Sequence, residues 1–256
     1  MLERFAVREG SPAAREEIER VHDPAYVRGI ERLERETWLD GDTVAGPTTW
    51  EAASLAAGCS LEALGRGGFA LVRPPGHHAL PDRAMGFCIF NNAVVMARHA
   101  LASGLAARVA IVDWDVHHGN GTEELVVDDP VLAYASLHQW PLYPGTGGPG
   151  TSRGNVLNVP LAAGSDDAAY RAAFRDEVEP FVARFEPDLV VVSAGFDAYR
   201  LDPLAGMELT ATGFHELAAG CAQLAPRLAG VLEGGYVAEA LPDLVAAAIE
   251  GFEQRA

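Results

Sequence analysis

The 256-residue chain is 49% hydrophobic, which is enough to bury a full core and sits near the upper size of one α/β domain, so a single domain over 1–256 is expected. A formal net charge of -17, with none of the 19 basic residues gathered into a block, excludes a nucleic-acid surface, because phosphate binding needs clustered Lys and Arg. No run of about 18 apolar residues occurs, so no membrane span is expected, and Cys59, Cys88 and Cys221 form no disulfide or metal-binding spacing.

The sparse cysteines suit a reducing, cytoplasmic setting, and the first residues, MLERFAVREG, lack the apolar core of a signal peptide. Short β-branched runs alternate with Ala-rich stretches of helical period, which predicts an open, mainly parallel α/β sheet with helices on both faces. In chain order, a strand at 70–72 precedes a helix at 91–103 closed by Gly104, and strands follow at 109–112 and 132–136. Residues 144–154 form a Gly-rich loop. The stretch 166–185 reads as one long helix with Ser165 as N-cap and acids in its first turn. Strands at 189–193 and 230–232 complete the sheet. Helices at 212–224 and 238–252 flank the last strand, and Pro226 and Pro242 limit their regularity.

In such sheets the binding crevice lies beyond the carboxyl ends of the strands, where residues distant in sequence converge. His77, Asp115, His117, Asp197 and Tyr236 all follow strands. Asp115 and His117, two apart at the end of a strand, can turn toward one ion, and Asp197 offers a third ligand. Two carboxylates and one imidazole without a thiolate leave a coordination position open, which suits a catalytic divalent ion such as zinc or ferrous iron. For the Asp-x-His pair alone, a polar loop cap is the competing reading.

His77 and His78 lie in Arg73-Pro74-Pro75-Gly76-His77-His78, where two prolines and a glycine fix the backbone and both imidazoles can face one water. Asp113 and Asn120 are available to hold their second ring nitrogens. Tyr236, after Glu233-Gly234-Gly235, can donate its hydroxyl to a developing oxyanion, although alone it would read as a packing aromatic. Gly145-Thr146-Gly147-Gly148-Pro149-Gly150 fits G-x-G-x-x-G literally, but no strand leads in and no helix is expected to follow. His22, His99, His138 and His215 lack companions at ligand spacing, and His118 should turn away from the metal because neighbours on an extended segment point oppositely.

RPPGHH, GFCIFNN, DWDVHHGNGT, SLHQ, YPGTG, SAGFDAYRLDPL and LEGGY occur in this order. Taken together they resemble the zinc-dependent histone deacetylase and acetylpolyamine amidohydrolase family of the arginase-deacetylase superfamily, its class II branch above all, from His22 onward. The resemblance implies an arginase/deacetylase-like fold and hydrolysis of an N-acetyl amide by a metal-bound water at the bottom of a narrow channel. It gives Asp115, His117 and Asp197 as zinc ligands, His78 as general base and acid, and His77 as an electrostatic partner. Asp113 then supports His77, Asn120 supports His78, and Tyr236 polarises the carbonyl. It also implies that Phe87 and Tyr143 flank an acyl-lysine stem, that the Gly86 carbonyl accepts the substrate N–H, and that Leu204 borders the floor or rim. A potassium ion behind the zinc site would be held by oxygens of Asp113, Asp115, His117, Ser136 and Leu137.

Asn120 stands where class I members carry an acid, so the base is expected to keep a near-neutral or lower pKa. Relative to the family, the chain begins late, at the helix leading to His22-Asp23-Pro24-Ala25-Tyr26. An N-terminal edge strand is therefore expected to be missing, with an open rim and association into a homo-oligomer through the bare edge. Besides an active deacetylase of acetyl-lysine or a small acetylated amine, two readings stand: a non-catalytic acyl-lysine or acetylated-amine binder, and an acetylpolyamine amidohydrolase. The last would call for an acid at the rim, which Leu204 does not supply. Arginase-like chemistry with two manganese ions lacks its second aspartate-rich set.

Overall fold

Runs such as Val109-Ala110-Ile111-Val112 have no polar face, and they form strands covered on both sides, as parallel sheets require. The structure, a computed structural model, describes residues 5–254; positions 1–4, where MLERFAVREG begins, and 255–256 lie outside the described residues. The strands are β1 (Thr37–Trp38), β2 (Val44–Ala45), β3 (Phe69–Ala70), β4 (Val109–Asp113), β5 (Leu132–Gln139), β6 (Val156–Leu161), β7 (Leu189–Ala194) and β8 (Arg227–Leu232). The helices are α1 (Arg15–Glu19), α2 (Pro24–Glu31), α3 (Thr49–Arg66), α4 (Asn92–Ala102), α5 (Asn120–Val126), α6 (Asp167–Ala173), α7 (Glu179–Phe185), α8 (Ala211–Ala222) and α9 (Leu241–Phe252).

β1 and β2 pair antiparallel as a small ribbon, and the other six strands form one sheet in the order β3-β8-β7-β4-β5-β6. Every pairing in that sheet is parallel. Side chains alternate between its faces with period two. Val109 and Ile111 pack with α3 and α4, whereas Ala110 and Val112 pack with α6, α8 and α9. A third cluster seats α1 and α2 on α3 through Ile18, Val27, Ile30 and Ala57. The chain runs outward from β4 to β5 and β6 on one side, then returns to place β7 and β8 on the other. The gap between the ends of β4 and β7 is therefore the topological switch point, where open α/β sheets form their crevice. No helix of the described residues is long and apolar enough to cross a membrane.

Several expected boundaries shift. The helix expected over 166–185 is interrupted by a π-helical turn at Phe174–Val178, just before Pro180, whose missing N–H removes one rung of the α ladder. Its N-cap is Asp166, which accepts Ala169 N–H at 3.0 Å; the Ser165 hydroxyl donates instead to Ala162 O at 2.7 Å. β6 escaped the sequence pattern because Asn158 and Pro160 interrupt it, and Pro160 is tolerated because β6 is an edge strand. α3 escaped it because small residues blur its apolar stripe. Gly58 is required there: a Cβ would strike the backbone of Ser11 and Ala13 crossing the helix. The Gly-rich loop leads into β6, and no helix opens at its glycines, so the dinucleotide pattern is excluded.

Candidate active site

β4 ends at Asp113 and the chain leaves the sheet through Asp115 and His117, while the adjacent β7 ends at Ala194 and leads to Asp197. His117 Nδ1 lies 3.2 Å from Asp115 Oδ1 and 3.1 Å from Asp197 Oδ2. One ligand atom from each residue falls within 4.8 Å of the others, and all three residues are buried. Backbone amides aim the carboxylates. Asp115 Oδ2 accepts Gly234 N–H at 2.7 Å and Asp197 Oδ1 accepts Val116 N–H at 2.9 Å. The approach is so close that a Cβ at Gly195 would strike the Asp115 carboxylate and one at Gly234 would strike that of Asp197.

Donor atoms on a tetrahedral ion with bonds of ~2.0 Å stand about 3.3 Å apart, so the observed spacing fits a shared divalent cation. The electrostatics agree. Burial opposes a charge on His117, yet Asp115 and Asp197 outweigh it and push the imidazole up to about 11. Burial and the charge of Asp115 push Asp197 up to about 6. These groups demand a positive charge at the point where they meet, which a cation answers.

Asp113 Oδ2 accepts from His77 Nδ1 at 3.0 Å and from the Tyr134 hydroxyl at 2.9 Å. Asn120 Oδ1 pairs with His78 Nδ1 at 2.8 Å, while Asn120 Nδ2 donates to Met85 Sδ at 3.4 Å. The two imidazoles lie with centroids 4.1 Å apart, tilted by 44°, and differ in protonation. Burial works against protonation of His77, but Asp115 and Asp113 raise it to about 10. Burial and then the charge of His77 hold His78 well below the usual histidine range, against the pull of Asp115 and Asn120. His78 thus carries one proton on Nδ1, toward Asn120, and Nε2 is a free base with no hydrogen-bond partner among the described residues.

Above this floor lies an aromatic opening. Met85 and Cys88 exchange backbone hydrogen bonds at 3.2 and 2.9 Å across a tight turn whose central residues, Gly86 and Phe87, are both left-handed at φ 56° and 67°. Left-handed backbone is strained for phenylalanine, and here it thrusts the ring outward to 41% exposure. The β1–β2 ribbon pins the turn through Gly86 N–H to Asp40 Oδ2 at 3.1 Å and Phe87 N–H to Thr43 Oγ1 at 2.9 Å. Tyr143 packs edge-on to His78 and His117, with centroids 5.2 and 6.1 Å apart, and Phe87 packs edge-on to Tyr236 at 6.1 Å. Burial and the nearby charges of Asp197 and Asp115 hold the Tyr236 phenol above its usual range, so it is a donor at neutral pH.

The structure thus gathers Asp113, Asp115, His117, Asp197, His77, His78, Asn120, Gly86, Phe87, Tyr143 and Tyr236 at one sheet end. Ser136 is the register partner of Asp113 on β5, and Leu137 follows it. Leu204 is 43% exposed and its N–H donates to Asp202 Oδ1 at 3.0 Å. His118 turns away from the cluster, toward Thr146 at 2.7 Å and Glu123 at 3.0 Å. His22, His99, His138 and His215 are each occupied by local hydrogen bonds.

Sequence reasoning missed Glu233. It is fully buried, with Oε2 accepting the N–H groups of Gly76 at 2.6 Å and His77 at 3.1 Å, and Oε1 the Ser193 hydroxyl at 2.8 Å. It therefore fixes the backbone beneath the histidine pair. A carboxylate directly after the apolar run of β8 was the available clue. Tyr134 and Met85 left none, since each reads as an ordinary core residue.

A model described as the histone deacetylase domain matches residues 1–252. Histone deacetylase 10, chloroplastic, of Oryza sativa subsp. japonica is 41% identical over 96% of this chain, which spans 62% of the length of that protein. Among solved structures, the HDA15 HD domain has a TM-score of 0.92 at 36% identity, covering 97% of this chain and 75% of its own. The acetylpolyamine aminohydrolase from Burkholderia pseudomallei has a TM-score of 0.89 at 32% identity, covering 99% and 87%. With the family model matched over nearly the whole chain and the fold shared with these solved structures, this protein belongs to the histone deacetylase family.

Proposed function

We propose that this chain is a metal-dependent hydrolase that removes an acetyl or related acyl group from the amine of acetyl-lysine or a similar small acylamide. The observation that carries the reading is the buried Asp115–His117–Asp197 cluster beside a neutral histidine whose Nε2 is free. Asp115, His117 and Asp197 would hold a divalent ion, zinc in this reading with ferrous iron as the alternative. Bound there, such an ion polarises the acyl carbonyl and acidifies water.

The chain's own groups do the rest. His78 Nε2 takes the proton of the attacking water and returns it to the leaving amine, while Asn120 holds Nδ1–H and keeps the ring aimed. His77, held cationic by Asp113 and Asp115, offsets negative charge as it develops. The Tyr236 hydroxyl donates to the acyl oxygen. Phe87 and Tyr143 flank the aliphatic stem and exclude water from it, the Gly86 carbonyl accepts the substrate N–H, and Leu204 borders the opening. For potassium, the resemblance together with the adjacency of Asp113 and Ser136 supports a place among Asp113, Asp115, His117, Ser136 and Leu137. A cytoplasmic setting is supported by three free cysteines, while the rice relative is by name chloroplastic.

One observation favours the acetylpolyamine reading. Asp40 Oδ2 accepts the Gly86 N–H at 3.1 Å, and the charges of Asp42 and Asp40 act after burial to raise the Tyr143 phenol, which supports an acidic entrance able to meet a second ammonium. Leu204 alone had offered none. Zinc-loaded protein assayed on a fluorogenic acetyl-lysine substrate tests the main reading: chelator-sensitive turnover supports it, and tight binding without turnover makes the chain a binder. The ratio of turnover on acetyl-lysine peptide to that on acetylputrescine then assigns the substrate class.

A further inference from the structure

The loop bearing Tyr236 contains two glycines, Gly234 and Gly235, and its backbone is tied down residue by residue. Glu233 N–H donates to Ala194 O at 2.9 Å, and Gly234 O accepts Phe196 N–H at 3.0 Å. Arg73 donates from one guanidinium nitrogen to Glu233 O and from another to Gly235 O at 3.0 Å, and lies 5.7 Å over the Tyr236 ring. Tyr236 N–H donates to Asp202 Oδ2 at 2.8 Å. Asp202 is only 6% exposed, and its other oxygen, Oδ1, takes the Leu204 N–H at 3.0 Å. One carboxylate therefore binds the backbone of two segments distant in sequence, at Leu204 and at Tyr236.

We propose that Asp202, assisted by Arg73, is a positioning residue that fixes the backbone of Tyr236 and so sets where its hydroxyl meets the acyl oxygen. The proposal rests on the donor role given to Tyr236 above. The geometry shows why such a clamp matters. The phenol stands at the end of a long lever, so a rotation of roughly 10° at the backbone moves its oxygen by about 1 Å, and a displacement of that size can cost on the order of 100-fold in rate. Gly235, at φ 125°, offers no steric resistance to such a rotation. Arginine suits the second anchor because its planar fork reaches two carbonyls at once, which an ammonium cannot do.

Asp202→Asn keeps the size of the side chain but leaves an acceptor for only one of the two N–H groups. In otherwise wild-type protein it lowers kcat on acetyl-lysine by on the order of 10- to 100-fold with little change in KM; in a Tyr236→Phe background it costs less than about threefold. Arg73→Lys shows the same dependence on Tyr236. Equal losses in both backgrounds overturn the proposal, because a merely structural role would not depend on the phenol. A second readout needs no turnover. With fluorotyrosine at the six tyrosines, the fluorine resonance that disappears in Tyr236→Phe belongs to Tyr236. Asp202→Asn shifts or broadens that resonance and leaves those of Tyr26 and Tyr170 in place; an unchanged Tyr236 resonance overturns the proposal. Wild-type protein without turnover but with the fluorine response would sink the hydrolase reading and leave the clamp standing.

Discussion

Replacing Asn120 by Asp changes one atom of the partner that holds His78 and adds a full charge 2.8 Å from its Nδ1. Two unit charges at roughly 4 Å and an effective dielectric of about 20 interact by about 4 kcal/mol, or ~3 pKa units. The new carboxylate sits in a half-buried place, and its desolvation offsets part of that, so we expect a net rise of about 1–2 units for His78. In the native chain burial and the charge of His77 keep the His78 imidazole well below the usual range. Its protonation therefore shapes kcat/KM only on the acid side of about pH 6.5. Because protonated His78 is no base, raising its pKa moves the acidic limb to higher pH, and activity is lost first at the acid end of the native range. The fold should tolerate the change, since Asn120 opens α5 and an acid in the first turn of a helix is favourable by about 0.3–1 kcal/mol. The assay is the pH profile of kcat/KM for native, Asn120→Asp and Asn120→Ala proteins. Asn120→Ala should lower the plateau and move the limb, if anything, to lower pH, because it loses the orienting acceptor that favours the protonated ring and adds no charge. An acidic limb that stays put in Asn120→Asp refutes His78 as the base held by this residue.

Further outcomes follow from the same geometry. Tyr236→Phe should lower kcat by on the order of 10²- to 10³-fold with KM nearly unchanged; a raised KM with intact kcat would make Tyr236 a binding wall instead. Phe87→Gly relieves a left-handed backbone and should stabilise the fold by about 1 kcal/mol in urea unfolding while raising KM for acyl-lysine; destabilisation would show that the ring's packing outweighs its strain. Glu233→Ala leaves the donors of Gly76, His77 and Ser193 unanswered and should cost about 3 kcal/mol or more, read as a lower urea midpoint; a loss below about 1 kcal/mol would mean that water replaces the carboxylate.

The central strands and the Asp115–His117–Asp197 cluster were legible because the same physics writes both. β-branched runs buried on two faces announce the parallel strands, and polar residues at their ends are forced into one crevice by the topology. Asp113 and Asn120 were legible as the available partners of the histidine pair, whereas which one holds which ring came from the family resemblance; the structure has Asp113 at His77 and Asn120 at His78. What stayed hidden depends on contacts between distant segments. Asp202 bridges Leu204 and Tyr236, and Asp40 reaches Gly86 from the β1–β2 ribbon; neither spacing has a local signature. The misplaced N-cap shows the same limit at short range, since Ser165 and Asp166 are both capable caps and only the turn geometry decides between them.

The most direct test of the account is metal titration with turnover on one sample. Chelator-treated protein should show no hydrolysis of a fluorogenic acetyl-lysine substrate and should regain it as zinc is added, saturating at about one ion per chain, whereas Asp197→Ala should neither retain the ion nor recover activity. Full turnover after exhaustive chelation, or recovery in Asp197→Ala equal to that of the native chain, would contradict a hydrolase built on Asp115, His117 and Asp197.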